Sequence, residues 1–513
     1  MRYPTIPKPK PELSRDLKST VKRFLASSQL QDVADVLEVH PGHLKHWLYA
    51  KPSHAGYVVF KIPKKSGGQR TISVPPDPIK ILQLKFKSIL DQIYKPKNCV
   101  FGFVSNRSIV DGATKHKKKS RWILNIDLED FFPSINFGRV RGLFIAMGVG
   151  PNAASIWAHL VTCHGKLPQG SPTSPVLSNM IARQLDSKLI NLARRFHLSY
   201  TRYADDLSFS TTKNMFPVEL VEFSGSPLDA DNVELQPRLV DAIHSSGFKI
   251  NEKKTRLQSK AVRQEVTGLT VNEFVNVPRR FIRQIRAMVH SAKKFGFIES
   301  GREYVKKYAP PGRISPTVLK KEDFDPGAYF KLVIYGKLAF LRMVRGKTDK
   351  CYVNLCLKMA EIDSEPPSQI VEIKKMYEEF DVFICHASED KDLVATPLFN
   401  ALTDVDVVAF IDNENIGWGD SFVEIINHVL SRAKLVVVVL SNNSVDKAWP
   451  KKELNASLAR EIDGQTKVLP LMVGSEQEIN NLLDQLPLLK DKIHKKWNGS
   501  GDVVANEIKK ILS

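Results

Sequence analysis

Apolar and polar positions fall into distinct patterns along this chain. "YVVFKIPKKSGGQRTISVP" (57–75) holds two alternating runs joined by a Lys/Gly-rich turn, which predicts a β-hairpin. Helical spacing follows over 78–95, and residues 1 to about 50 also read as helical and basic. The apolar run in "RWILNIDLEDFFPSI" (121–135) predicts a buried strand that ends at a proline. "SPVLSNMIARQLDSKLINLARRF" (174–196) keeps helical spacing throughout and predicts one helix. "LSYTRYADDLSFS" (198–210) reads as two strands about a tight turn, and 213–237, acidic and proline-containing, as an exposed insertion. A basic helical region opens at "NVPRRFIRQIRAMVHSAKKFG" (276–296) and runs to about 345. "EIDSEPPSQIVEIKK" (361–375), with its proline pair among polar residues, marks a linker taken as 346–377. Beyond it, "DVFICHA", "VVAFI" and "KLVVVVLS" alternate with helical segments, the pattern of a parallel α/β sheet.

A length of 513 residues implies two or three domains. No apolar run approaches the roughly 18 residues of a membrane span, and "MRYPTIPKPKPELSRD" lacks the apolar core of a signal peptide. Five scattered cysteines (Cys99, Cys163, Cys351, Cys356, Cys385) show no zinc-ligand spacing. The expectation is a cytoplasmic protein without disulfides or a membrane partner. Net charge is +20, but it is divided unevenly. Residues 378–513 carry 14 Lys/Arg against 22 Asp/Glu, a balance of −8, which leaves 61 against 33, or +28, on residues 1–377. A polyanion partner is expected for the first part alone.

Within that basic part, Asp205 and Asp206 stand side by side in strand-like sequence, where like charges repel. Asp127 ends an apolar run 78 and 79 positions earlier. Three convergent carboxylates suit two Mg²⁺ ions, which prefer hard oxygen ligands and keep positions open for substrate phosphates. A bare Asp-Asp pair is more often an exposed turn, so the surrounding sequence decides.

"DLEDFFPSI", "LPQGSPTSPVLSN", "YADD", "SGFKINEKKT" and "VTGLTVN" occur in that order, and together they resemble the reverse transcriptases, in particular the retron type, over about 55–345. The resemblance implies an α+β right-hand polymerase. Residues 1–54 would be an N-terminal helical region, 55–277 fingers and palm, and 278–345 the thumb. Asp127, Asp205 and Asp206 would hold metal. Phe132 would be the gate that rejects a 2′-hydroxyl, and Gln169 would contact the incoming nucleotide and template. Arg70 with Lys64 or Lys65 would hold the triphosphate. Lys254 would protonate the leaving pyrophosphate, with Lys253 a close rival. Val266, Thr267 and Gly268 match the tripeptide associated with recognising a cognate structured RNA. A second retron signature, N-A-x-x-H, reads "GATKH" here: Gly112 replaces Asn, while Ala113 and His116 are kept. No chemistry is assigned to His116. The implied reaction copies a partner non-coding RNA from dNTPs, starting at a guanosine 2′-hydroxyl. Its product is a branched RNA–DNA hybrid (msDNA).

"EEFDVFICHASEDKDLVATPLFNAL", "FIDNENIGWGDSFVEIINHVLSRAKLVVVVLS" and "KAWPKKELNA" resemble a TIR domain over 378–513, an α/β flavodoxin-like fold. Cys385 stands where that family usually has Ser. The resemblance implies NAD⁺ cleavage by a W-x-x-x-E pair, here Trp449 and Glu453, one helical turn apart if Pro450 opens a helix. The "DNENIGWGDS" loop (412–421) would pack against a neighbouring copy and make a homo-oligomer. The joint expectation is an anti-phage system in which the hybrid restrains the TIR domain. Three alternatives stay open: a TIR domain that is only an assembly scaffold, a defence polymerase making unbranched DNA, and a polymerase fold kept for RNA binding.

Overall fold

The computed structural model describes residues 12–50, 56–63, 68–116, 120–223, 233–308, 324–377, 381–411, 433–445, 467–485 and 494–512. Lys64, Lys65, Trp449, Glu453 and the 412–421 loop lie outside them. The chain divides into two compact units, Met1–Leu355 and Cys356–Ser513.

The first unit opens with helices Leu17–Leu25, Leu30–Val36 and Pro41–Lys45. The expected hairpin follows as β1 (Val58–Pro63) and β2 (Gln69–Val74), antiparallel with Ile62 opposite Arg70. Helix Asp77–Ile93 then enters a core where Phe86 stacks on Trp157 at 4.2 Å and both touch Phe24.

The central sheet holds β3 (Trp122–Glu129), β4 (Ser199–Tyr203) and β5 (Asp206–Thr211). The expected insertion contains a small hairpin of β6 (Val221–Phe223) and β7 (Val233–Leu235). It is not wholly exposed, because Phe216, Leu220 and Val221 are buried. Two short strands, β8 (Lys249–Ile250) and β9 (Arg256–Ser259), share the far edge of β3, giving the order β4-β5-β3-β8, all antiparallel. Next come β10 (Glu265–Val266) and β11 (Leu269–Thr270). The span read as one helix over 174–196 is two, Ser174–Ile181 and Arg183–Phe196, divided at Ala182 (φ −71°, ψ −2°). That conformation departs so little from a helix that the apolar period passes through it, which is why the sequence hides the break. The basic region forms helix Arg279–Lys307, broken at Gly296, and helix Pro326–Arg345.

The span read as a linker contains the division between the two units, after Leu355, and is helical. It holds helices Lys350–Ile362 and Ser368–Tyr377. Tyr352, Leu355, Cys356 and Met359 bury one helical face, and the proline pair only separates the two helices.

The second unit is built on β12 (Val382–Cys385), β13 (Ala409–Ile411), β14 (Leu435–Leu440), β15 (Lys467–Met472) and β16 (Lys495–Lys496). Their order is β13-β12-β14-β15-β16, all parallel, as the alternating pattern predicts. All six residues of β14 are buried, as expected of a strand covered on both faces. Among the described residues no helix is long and apolar enough to cross a membrane.

Candidate active site

The β3–β5 register sets Asp127 directly opposite Asp206, and the β4–β5 register sets Tyr203 opposite Asp206. Successive strand residues face opposite sides, so Asp127, Asp206 and Tyr203 share one face of the sheet. Their neighbours Ile126, Leu207 and Arg202 share the other. Asp205 lies in the turn between β4 and β5, which closes through Ala204 in the left-handed region (φ 55°). Its carbonyl accepts from the Leu128 amide at 3.0 Å. The adjacent aspartates are thus not sent to opposite faces of one strand, because the turn intervenes.

Burial pushes the Asp206 carboxyl up to about 7, reinforced by Asp205 and Asp127 and opposed by Lys254 and Arg256. Asp205 is raised too, by burial first; a hydrogen bond from its own backbone opposes this, Asp127 adds to it, and Lys254 and Arg70 oppose it. The field of Arg70, on β2, therefore reaches the carboxylates. Lys254 Nζ donates to both oxygens of Asp127, at 3.0 and 2.9 Å, and Asn251 Nδ2 donates to Oδ1 at 3.0 Å. Carboxylates crowded at this cost need a counter-cation, and their donor set of hard oxygens fits magnesium. Among the described residues no group of three or more His, Cys, Asp or Glu side chains is placed to hold a metal ion. Magnesium is usually held by one or two carboxylates, with water and substrate phosphates completing its shell.

Residues the sequence did not flag hold this turn from behind. Arg202, fully buried, donates to Asp186 Oδ1 and Oδ2 at 2.8 Å each, to Asn179 Oδ1 at 3.0 Å and to the Ala204 carbonyl at 3.2 Å. Asn179 Nδ2 donates to the Gly102 carbonyl at 2.9 Å, and Tyr200 donates to Asp186 at 3.0 Å. Gly102 itself presses on the turn: a Cβ there would lie 2.5 Å from the Ala204 nitrogen. His116 bridges β4 and β5, with Nδ1 2.8 Å from Ser210 Oγ and Nε2 2.7 Å from Thr201 Oγ1. The one available signal was an Arg placed among strand residues in "SYTRY", since a charge in a buried strand requires a partner.

In the second unit the chain passes from β12 to β13 on one side and then to β14 on the other. Ligands of parallel α/β sheets bind at such a switch, beyond the strands' carboxyl ends. There Asp390 accepts from Ser441 Oγ at 2.6 Å and Asn443 Nδ2 at 3.0 Å, tying the two loops together. His386 Nδ1 donates to the Ala387 carbonyl at 2.8 Å, and its buried Nε2 has no hydrogen-bond partner among the described residues.

A family model for the reverse transcriptases (RNA-dependent DNA polymerases) matches residues 62–272, and one for the TIR domain matches 382–499. The chain is 35% identical over 299 residues to the retron Mx65 reverse transcriptase of Myxococcus xanthus, a match covering 54% of this chain and 65% of the relative. It is 34% identical over 238 residues to the retron Ec86 reverse transcriptase of Escherichia coli, covering 46% and 69%. The chain belongs to the retron reverse transcriptases. It spans just under two thirds of the Mx65 enzyme's length. Its TIR domain is 31% identical over 135 residues to the NAD(+) hydrolase TcpA of a Theionarchaea archaeon, covering 26% of this chain and 40% of the relative.

In this retron-family chain the β4-β5-β3 sheet lies within the span that the reverse-transcriptase model matches. Phe132 is half-buried beside the carboxylate-bearing strand, 5.5 Å from Phe131 and 5.9 Å from the exposed ring of Phe103. The Gln169 carbonyl accepts from the Ser73 amide at 2.8 Å, which joins that loop to β2. Val266, Thr267 and Gly268 make the β10–β11 hairpin. Thr267 (φ 48°) and Gly268 (φ 80°) are both left-handed, as a two-residue primed turn requires. Asn125 of β3 hangs this hairpin on the central sheet through the Glu265 carbonyl at 2.8 Å. Among the described residues, buried Thr267 Oγ1 has no hydrogen-bond partner.

Proposed function

We propose that the first unit copies a cognate structured RNA into DNA, primed from that RNA, and that the second cleaves NAD⁺ as an anti-phage effector. The observation carrying the polymerase reading is the register that opposes Asp127 to Asp206, with Asp205 at the turn and Arg70 within its field. Two magnesium ions held by Asp127, Asp205 and Asp206 would activate the primer hydroxyl and neutralise the leaving pyrophosphate. Arg70, with Lys64 or Lys65, grips the dNTP triphosphate. Lys254 holds the Asp127 carboxylate when no nucleotide is bound, then moves its proton to the departing phosphate oxygen. Phe132, packed between Phe131 and Phe103, excludes a ribose 2′-hydroxyl. Gln169 contacts the new base pair. The hairpin of Val266, Thr267 and Gly268 reads the RNA, and the basic face of helix Arg279–Lys307 follows the duplex as the thumb. In the TIR domain, Glu453 stabilises the cation that forms on the ribose as nicotinamide leaves, and Trp449 walls the pocket. The likeness to an NAD(+) hydrolase supports this reading. The domain works as a homo-oligomer in the cytoplasm.

The test is the nucleic acid that copurifies from a host carrying the native locus, compared between wild type and Asp206→Asn. A discrete DNA species that shifts on RNase treatment and is lost in the variant is the expected result. A smear, or a species unaffected by the substitution, would end the retron-product reading.

A further inference from the structure

A second basic site lies away from the carboxylates. On a flank of helix Arg183–Phe196, beside residues 95–98, opens a cleft of about 490 Å³. Lys95, Lys97, Arg183 and Arg194 line it, and among the described residues no carboxylate does. Asp186, on the same helix, is turned inward and committed to Arg202 and Tyr200. Two of these cations are held in place. Arg183 donates to the Lys95 carbonyl at 3.0 Å, and Lys97 donates to Ser187. Arg107 donates to the Lys97 and Val100 carbonyls at 2.7 Å each, which fixes the loop. Four positive charges around one concavity focus a field that suits an anion.

The size of that anion follows from the spacing. Arg183 and Arg194 are eleven residues apart on one helix, about 16 Å along its axis. One triphosphate cannot bridge that span, whereas a sugar–phosphate strand can. Between the cations, Asn98 and Asn191 offer amides to sugar or base edges, and Ile190 offers an apolar patch. The cleft is on the far side of the palm sheet from the catalytic face. Helix Arg183–Phe196 meets the sheet through Asp186 and Arg202, and Arg202 points away from the face that carries Asp127 and Asp206. We propose that this cleft is a second nucleic-acid site, which binds a polynucleotide backbone while the carboxylate face engages the growing end. The strand is supplied either by the folded RNA or by the DNA joined to it. The proposal rests on the polymerase reading only for the identity of that strand.

The test uses the full chain with labelled RNA and DNA hairpins of one sequence, titrated without dNTPs over a range of salt. Arg183→Gln/Arg194→Gln should weaken binding and lower the slope of log affinity against log salt by about 2. Loss on the RNA probe alone assigns the strand to RNA, loss on the DNA probe alone assigns it to DNA, and loss on both assigns the shared backbone. Lys95→Gln keeps the carbonyl that Arg183 uses and should lower the slope by about 1, which preserves the test if the double variant fails to fold. Unchanged affinity and slope on both probes would overturn the proposal. Extension of a short primer–template by the double variant should match wild type, and its loss would put the cleft on the polymerising path instead. A wild-type chain that binds through the cleft but extends no primer would refute the proposed function and leave this site standing.

Discussion

His116 bridges β4 and β5 through both ring nitrogens, an arrangement suited to a neutral ring that donates through one and accepts through the other. Burial lowers its pKa from 6.5 to about 4. The direction of the pH effect follows. Above pH 6.5 the ring is neutral in folded and unfolded chains, and its full contribution is present. As pH falls through 6.5, the unfolded chain takes up a proton that the native chain refuses. Stability is therefore lost down to about pH 4, by about 3 kcal/mol in total. His116→Gln removes the titration. Thermal midpoints of the two chains should differ most near neutral pH and converge towards acid. A gap that does not change with pH would show that the ring is not held neutral. Beside it, Arg202 of β4 pairs with Asp186 of helix Arg183–Phe196, and removing either partner would leave a buried charge unopposed.

At the scale of elements, the catalytic turn is shaped from outside itself. The segment 99–102 lies along β4, where Phe101 and Arg202 exchange main-chain hydrogen bonds with Arg202 and Cys99, and it ends at Gly102 against the turn. A methyl at Gly102 would meet only backbone, at 2.5 Å from the Ala204 nitrogen and 3.0 Å from the Tyr203 carbonyl carbon, so no side chain can swing aside. Gly102→Ala should displace Asp205 and Asp206 and cut primer extension by at least tenfold, because misplacing catalytic groups by about 1 Å is costly. Hairpin binding through the rest of the basic surface should survive. Extension at the wild-type rate would show that the turn yields without cost. The sequence revealed the strands, the turn and the three carboxylates, because local alternation and residue type carry them. It could not reveal Gly102, Asn179 or Asp186, whose roles depend on contacts across 16 to 102 positions of chain. Within 346–377, where the division between the two units falls, it showed the linker but not its helices, for a related reason. The proline pair is conspicuous, while the buried face of Tyr352, Leu355, Cys356 and Met359 has meaning only against a packing partner.

At the scale of the whole molecule, the charge division of +28 over residues 1–377 against −8 over 378–513 sets a strongly basic part against an acidic one. A tether between them raises the effective concentration of each for the other, so a hybrid retained by the polymerase stays within reach of the TIR domain. If the hybrid restrains that domain, removing it should release the activity without a phage. Asp206→Asn deprives the chain of DNA, so NAD⁺ in its host should fall in the absence of infection. Adding Glu453→Ala to the same chain should restore NAD⁺ to the level of cells lacking the locus, while Glu453→Ala alone should leave the DNA species intact. Each comparison isolates one step. NAD⁺ that falls in the double variant would remove Glu453 from the chemistry. NAD⁺ that stays level in Asp206→Asn, but falls on infection of the wild type, would keep the TIR enzyme and discard restraint by the hybrid. The polymerase product would then have to act as an activator, and the coupling between the two units would have the opposite sign.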